Sequence, residues 1–530
     1  MTTTWTIAVD WDRDGDYSDT YDDVSDRVIS ANWFLGMRKA YEDVAHDSML
    51  ELTLNNSDRR YSPEYTSSPL WDSSAGLSKV QPFRTVRIQS NDGTTTRTHW
   101  VGWIEKVEPA VNAYGERTVK LTAAGVLVFF EAAETDIELQ ENQRTDEIIA
   151  KLISEVVIPP ALAEGWFLDL AGYSEIGVST WLADTTAFSA LDEGQVTLAI
   201  AADNWVQRGG SGRNTFDVYR AIADMVAAER GRFFFDREGK AVFWNRLRLQ
   251  DEITSSLTLD NDMLDLSYSY AGIEDFKNEV VVNCHPRTIG ETTEVLWRLT
   301  EPIQVKASER RQVNVKFQDE DTGNARIGAK DVAVTDVVFS KGTGTVTIEA
   351  KANSALLEII NTDETKPAEL SAATVTGLKI TDYGQMEAQA QDGLSIARYG
   401  RRRMKLNLGS VDNLDYAQAI ADREISLRSE PRGMVRQVTL KSHGTHNQGH
   451  HADQLALTIG DVITIRENQT QHGVSTMRRY VIVGEAHRLS AGQTLWETTW
   501  YLERAAEAPF PWKLGVEGRG ELDEAAYLAF

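Results

Sequence analysis

The chain has 530 residues, more than one hydrophobic core usually organises, so three to five domains of about 100–200 residues each are expected. A hydrophobic fraction of 42% with 14 Trp, 16 Tyr and 16 Phe excludes bulk disorder. Lys and Arg number 54 against 80 Asp and Glu, and the formal charge of −26 excludes a phosphate-binding surface over most of the molecule, because duplex binding relies on clustered cations.

No stretch approaches the roughly 20 apolar residues of a membrane span. The opening from Met1 to Asp10 lacks the basic flank and apolar run of a signal peptide, so synthesis in the cytosol is expected. The single cysteine, Cys284, ends a strand-like run from Glu279 and is read as a small buried apolar residue, not a reactive thiol.

From Trp5 to about Gly125, short alternating runs are broken by turn residues. Met49 to Leu54 stops at Asn55-Asn56-Ser57-Asp58; Val86-Arg87-Ile88 precedes the turn Asn91-Asp92-Gly93; His99 to Ile104 and Thr118 to Thr122 follow. Period-two runs with Asn, Asp and Gly at the breaks predict antiparallel strands joined by hairpins, here a β-barrel spanning 1–130.

Two amphipathic helices come next. Ile148, Ile149, Leu152, Ile153 and Val156 share one face after a Thr145 cap, before Pro159-Pro160; Phe216, Tyr219, Ile222, Ala223 and Val226 share another before Gly231. The second runs into Arg232 to Phe235, a polar tip at Asp236 to Gly239, and Ala241 to Trp244, a hairpin that can cover both helices. This predicts an α+β domain over 131–250, with an insertion at about 161–212 that ends in Arg208-Gly209-Gly210-Ser211-Gly212.

A β-rich domain is expected over 251–410. Alternation at Val313, Val315 and Phe317, and at Val346 to Glu349 after the turn Lys341 to Gly344, predicts a β-sandwich inserted at about 295–380. A helix from an Asp412 cap to about Arg428, stopped before Pro431, opens a second β-barrel over 411–510. Its strands are Val438-Thr439-Leu440, Val462 to Ile465, Tyr480 to Val483 and Trp496 to Leu502, and residues 511–530 form a tail.

The order of strand, strand ending in Val-Gly and strand recurs. Val86-Arg87-Ile88, Trp100-Val101-Gly102 and Val119-Lys120-Leu121 match Ile463-Thr464-Ile465, Ile482-Val483-Gly484 and Trp500-Tyr501-Leu502. Two similar barrels per chain and three chains would place six around an axis.

Candidate sites are few. Asp10, Asp12 and Asp14 with Gly15 have the spacing of a Ca²⁺ loop, but Tyr21 holds the twelfth place where a bidentate Glu belongs, which favours an acidic hairpin tip over Asp10–Asp22. His443, His446, His450 and His451 lack the rigid spacing of a zinc site and read as a polar loop. Arg401-Arg402-Arg403 is read as a salt-bridge surface between subunits, with a phosphate clamp as the alternative. HExxH, Gly-x-Ser-x-Gly and a phosphate loop are all missing, so the expectation is no enzyme, no catalytic or metal residues and no cofactor.

Several stretches carry a resemblance. Leu52-Thr53-Leu54-Asn55-Asn56-Ser57-Asp58-Arg59-Arg60-Tyr61-Ser62-Pro63-Glu64, Ser68-Pro69-Leu70-Trp71 and Val101-Gly102 look like the N-terminal domain of minor tail or tail-hub proteins of long-tailed bacteriophages and prophages. Val9 to Asp12 with Asp14-Gly15-Asp16 is similar to the opening common in that group. Gly231 to Phe243 resembles the helix-then-hairpin element of these hubs, and Ile459 to Ile465 with Trp496 to Trp500 their C-terminal barrel.

The resemblance implies a mainly β, multidomain fold and a structural tail-tip hub: a homotrimeric ring between tail tube and tip, assembled in the host bacterial cytoplasm. Its implied partners are the distal tail protein, the tape-measure protein and tip fibre or receptor-binding proteins, with DNA passing through unbound. The alternatives are a receptor- or carbohydrate-binding tail-tip adhesin, for which the inserted sandwich speaks, and a cell-wall hydrolase.

Overall fold

Alternation decides the first sheet. In the strand Met49–Asn55, Leu50, Leu52 and Leu54 are fully buried, while Met49, Glu51 and Asn55 face out, so one face of the pleat is core and the other solvent. The computed structural model describes residues 3–111, 114–135, 137–156, 189–203, 205, 216–251, 254–260, 263–270, 275–319, 327–443, 446–447, 450–467, 476–490 and 492–505. The core of the 161–212 insertion and the 511–530 tail lie outside these residues.

Twelve strands make up two modules. The first holds β1 Thr4–Asp10, β2 Val28–Gly36, β3 Met49–Asn55, β4 Thr85–Asn91, β5 Thr96–Val111 and β6 Arg117–Ala124. The second holds β7 Leu257–Leu259, β8 Asp265–Tyr270, β9 Gly433–His443, β10 Val462–Glu467, β11 Thr476–Ser490 and β12 Leu495–Arg504. Across the first module the order is β1-β4-β5-β6-β3-β2; across the second it is β7-β10-β11-β12-β9-β8. Position for position these are the same order, antiparallel throughout except that β7 lies parallel to β10.

Hydrogen bonds fix which residues correspond. Ile104 donates to the Arg84 carbonyl and accepts from the Phe83 N–H, at 2.8 and 2.7 Å; Ile482 donates to Asp461 and accepts from Gly460, at 2.9 and 2.8 Å. A β-bulge follows each, between Ile104 and Lys106 and between Ile482 and Gly484. From there a row runs Lys106, Thr122, Glu51, Asn32 across one module, and Gly484, Tyr501, Gln437, Ser267 across the other. The strands matched by sequence are the right ones, but the Val-Gly landmarks are not equivalent: the true register sets Ile104, not Gly102, near the bulge.

The two modules are not separate barrels. Among the described strands no pairing closes either one, and β2 leaves its own module to pair with β11, so that both lie in a single 13-stranded sheet. The cause is strand length. β11 has 15 residues against six in β10, which covers β11 only up to Val481, and the remaining edge from Gly484 to Leu489 accepts β2.

Between the modules lies the α+β element. Helix α1, Thr145–Ser154, starts from Arg144, whose N–H donates to Glu147 at 2.8 Å, so the expected Thr145 cap is one residue late. Thr145 is buried instead and donates to Glu229 at 2.9 Å. Helix α2, Val218–Glu229, is capped by Asp217; Phe216 precedes it in a two-residue strand, outside the helix. The hairpin Arg232–Phe235 and Ala241–Trp244 packs beneath both, with Phe233 and Phe243 fully buried.

The remaining lobe is an insertion. Glu279–Cys284 pairs with Met386–Gln391 and Arg403–Asn407, and the chain between Cys284 and Met386 folds into two facing sheets around Leu296, Val315, Phe317, Leu357 and Val375. Helix α3, Leu414–Arg428, covers that three-stranded sheet and is capped by Asn413, which accepts from Asp415 and Tyr416, and not by Asp412. The chain is thus mainly β with α+β elements, in several sheets and several lobes.

Candidate assembly site: a buried joint and two open strand edges

Three arginines, one at the end of α2 and two of the central hairpin, tie the lobes together. Arg230, at the left-handed end of α2, donates to Glu424 of α3 at 3.0 Å and to Asp43 of the first module at 2.8 Å. Arg232 donates to Asp43 at 3.2 Å and to Glu503 on β12, also at 3.2 Å. Arg237, at the hairpin tip, grips Glu485 on β11 with both arms at 2.7 and 2.6 Å and donates to the carbonyls of Leu455 and Leu457 at 3.1 and 2.7 Å. All three guanidinium groups are buried, so each relies on its carboxylate partners to offset the loss of water.

Beside this ion pair lies an aromatic cluster drawn from both modules. Trp5, Trp33 and His99 come from the first; His487 and Trp496 from the second. His487 stacks between Trp33 and Trp496, with ring centroids at 4.9 and 5.9 Å. His451 meets Trp496 edge-on at 5.8 Å and bonds Thr3 at 2.5 Å. Burial, reinforced by the Arg237 charge, holds His99 well below the ordinary histidine range, and burial lowers His487 against the opposing pull of Glu485. Burial pushes the Glu485 carboxyl up, yet the Arg237 guanidinium outweighs it and holds the group well below the usual range. The site therefore holds a charged pair beside imidazoles of lowered basicity where the two modules meet.

The candidates from sequence fall elsewhere. Asp10 is buried and accepts from the backbone N–H groups of Arg13, Asp14 and Gly15, at 2.6, 3.3 and 3.0 Å. Asp12 pairs with Lys79, Asp14 accepts from Asp16, Asp16 from Tyr17 and Ser18, and Asp22 from Asp19. Desolvation raises Asp22 to about 7, against hydrogen bonds from Trp11 and Asp19. These carboxylates build a turn around Gly15, whose φ is 84°; among the described residues no group of three or more acidic, His or Cys side chains gathers at metal-holding positions.

Of the four histidines, His451 joins the aromatic cluster, His450 lies 3.4 Å from Asp453, and the side chains of His443 and His446 lie outside the described residues. Arg401 and Arg403 both reach Glu279 of their own chain, at 3.2 and 2.7 Å, while more than half of each side chain stays exposed. Cys284 is fully buried, and burial raises its thiol.

The joint itself escaped the sequence reading. Arg232 and Arg237 sit in a run read only as strand and turn, and their partners lie more than 180 residues away. A faint signal existed in Arg232 and Arg237 flanking three consecutive Phe, where a charge must either be paired or exposed.

Among the described residues, two unpaired strand edges bear on assembly. β8 pairs with β9 on one side only, and β5 beyond its bulge pairs with β6 on one side only. Leu264 and Tyr270 at the ends of β8 are 48% and 68% exposed, and Val111 at the end of β5 is 61% exposed, so apolar side chains border both edges.

No family model and no curated protein matches this sequence. Solved structures do. A tail protein from Neisseria meningitidis MC58 is similar over 94% of this chain and 96% of its own, with a TM-score of 0.47 and 9% identity. The 43 kDa tail protein of prophage MuSo2 from Shewanella oneidensis is similar over 94% and 98%, with a TM-score of 0.44 and 10% identity. Both are tail proteins. The E. coli c3393 protein, a component of the type VI secretion system, is similar over 91% of this chain and 74% of its own, at a TM-score of 0.36 and 9% identity.

Proposed function

We propose that this protein is a structural component of a phage tail, a hub whose three copies close a ring between tail tube and tip. The observation that carries the reading is the repeated six-strand order, with one module docked on the next through β2 and β11. That contact is head-to-tail, since the two surfaces differ, and head-to-tail contacts form rings when the rotation closes. Three chains of two modules give six quasi-equivalent units.

The sequence resemblance at Leu52 to Trp71 supports the tail assignment, and the charge supports the passage of DNA. At −26 per chain the ring repels phosphates, so a genome slides through instead of adhering. The buried Arg232, bonded to Asp43 of the first module and Glu503 of the second, ties each pair of modules together. In this reading the chain carries no catalytic role; it meets the distal tail protein, the tape-measure protein and tip fibre or receptor-binding proteins at the virion tail tip.

Light scattering on the purified chain tests this reading. The expected mass is that of three chains at micromolar concentration; a monodisperse monomer over the same range contradicts it.

A further inference from the structure

The open edges have covered counterparts within the same chain. Where β11 continues past its bulge, residues 483–489 are covered by β2, and Gly484, Glu485, His487 and Leu489 are all buried. The equivalent stretch of β5 runs from Glu105 to Val111, and there Glu105, Lys106, Pro109, Ala110 and Val111 are exposed. In the other direction, β2 uses its outer edge to reach β11, whereas β8, its counterpart, leaves that edge unpaired among the described residues. The chain thus contains one completed joint and the two separate halves of a second.

We propose that β8 of one copy pairs antiparallel with residues 105–111 of β5 of the next copy, reproducing between chains the contact that β2 and β11 make within one. The partner is a second copy of this chain. The inference rests on the ring reading and deepens it by naming the edges and their register. In the completed joint Ala31 faces Leu489, Asn32 faces Arg488 and Trp33 faces His487. Carried across by the rows that equate Asn32 with Ser267 and Gly484 with Lys106, the register sets Leu266 opposite Val111, Ser267 opposite Ala110 and Tyr268 opposite Pro109 of the neighbour.

Pro109 sets the strength of this contact. Met37 donates to the Val483 carbonyl at 2.9 Å, so alternate pairs from there, including Trp33 with His487, are the hydrogen-bonded ones. Pro109 takes the place of His487 and has no N–H to give. The ladder between copies therefore lacks one bond that the ladder within the chain has. Proline together with Glu105, Lys106 and Glu108 also blunts the edge against unspecific strand addition. A contact weaker than its internal counterpart lets each chain fold first and assemble second.

Disulfide trapping on the full chain tests the register. Ser267 and Ala110 occupy a non-hydrogen-bonded pair, where Cα atoms lie about 4.5 Å apart, within reach of a disulfide. The native thiol, Cys284, is buried. Ser267→Cys with Ala110→Cys in one chain is expected to oxidise to a covalent trimer with loss of the monomer band on non-reducing gels. An equal mixture of the two single variants is expected to stop at covalent dimers. Asn32→Cys with Arg488→Cys serves as the internal control and closes within one chain. Ser267→Cys with Lys106→Cys, displaced by about 13 Å along the strand, is expected not to link.

If light scattering finds trimers but Ser267 and Ala110 do not link, the edge pairing is overturned and the ring reading stands. If the chain is monomeric and nothing links, both fall.

Discussion

Replacing Arg237 by Met removes the cation that holds the second module on the hairpin. Glu485 then stays buried with His487 at 3.4 Å as its nearest ionisable partner, and the carbonyls of Leu455 and Leu457 lose their donor. Breaking a buried pair from one side costs about 3–5 kcal/mol, because the remaining charge is left uncompensated. For a cooperative unit of about 200 residues that corresponds to a fall in melting temperature of roughly 6–20 °C. Trp5, Trp33 and Trp496 lie in the cluster beside the pair, so urea unfolding followed by tryptophan fluorescence includes this joint in its signal. Adding Glu485→Gln to the Met variant is expected to recover a large part of the loss, since the stranded charge is then gone. A single Arg237→Met variant that loses under about 1 kcal/mol, or a double variant less stable than the single, refutes the reasoning.

Gly484→Ala is expected to undock β2 from β11, because an added Cβ would lie 2.0 Å from the Met37 carbonyl oxygen; limited proteolysis should then cut near Gly36, and an unchanged digest contradicts this. His99 and His487 are expected to titrate below the ordinary histidine range by ring NMR, and an ordinary titration of either contradicts this. The unfolded chain takes up these protons near the ordinary value of about 6.5, so their contribution to stability is lost as pH falls below it. Asp22, raised to about 7, acts in the opposite sense between about pH 4 and 7, which is why ring NMR is the cleaner readout than a melting curve. Asp10→Asn is expected to cost about 1–3 kcal/mol through weakened bonds to Arg13 and Gly15, and millimolar Ca²⁺ to leave the wild-type melting temperature unchanged; a Ca²⁺-dependent rise that Asp10→Asn abolishes would restore the cation-loop reading.

Local chemistry was legible in the sequence wherever it is local in the fold. Leu50, Leu52 and Leu54 announce a half-buried strand by alternation alone, and the hairpin from Arg232 to Trp244 follows from apolar runs around a polar tip. The repeated strand order could be seen too, but its register could not. Val-Gly looks like a landmark, whereas the hydrogen bonds of Ile104 and Ile482 and the bulges after them are what align the modules. Helix starts slipped by a residue because several polar side chains compete to cap: Arg144 over Thr145, Asn413 over Asp412.

What pattern could not supply is long-range pairing. Nothing near Arg237 in sequence points to Glu485, and nothing near Arg401 points to Glu279. The open sheet in place of two barrels is of the same kind, since it depends on β11 outrunning β10 and leaving room for a strand some 450 residues earlier.

Cryo-electron microscopy of the assembled protein, viewed down its axis, tests the central claim most directly. The account predicts a closed ring with a central hole and six similar β lobes, alternating between the first and second modules of three chains. Any other number of lobes, or a particle with no hole, contradicts it.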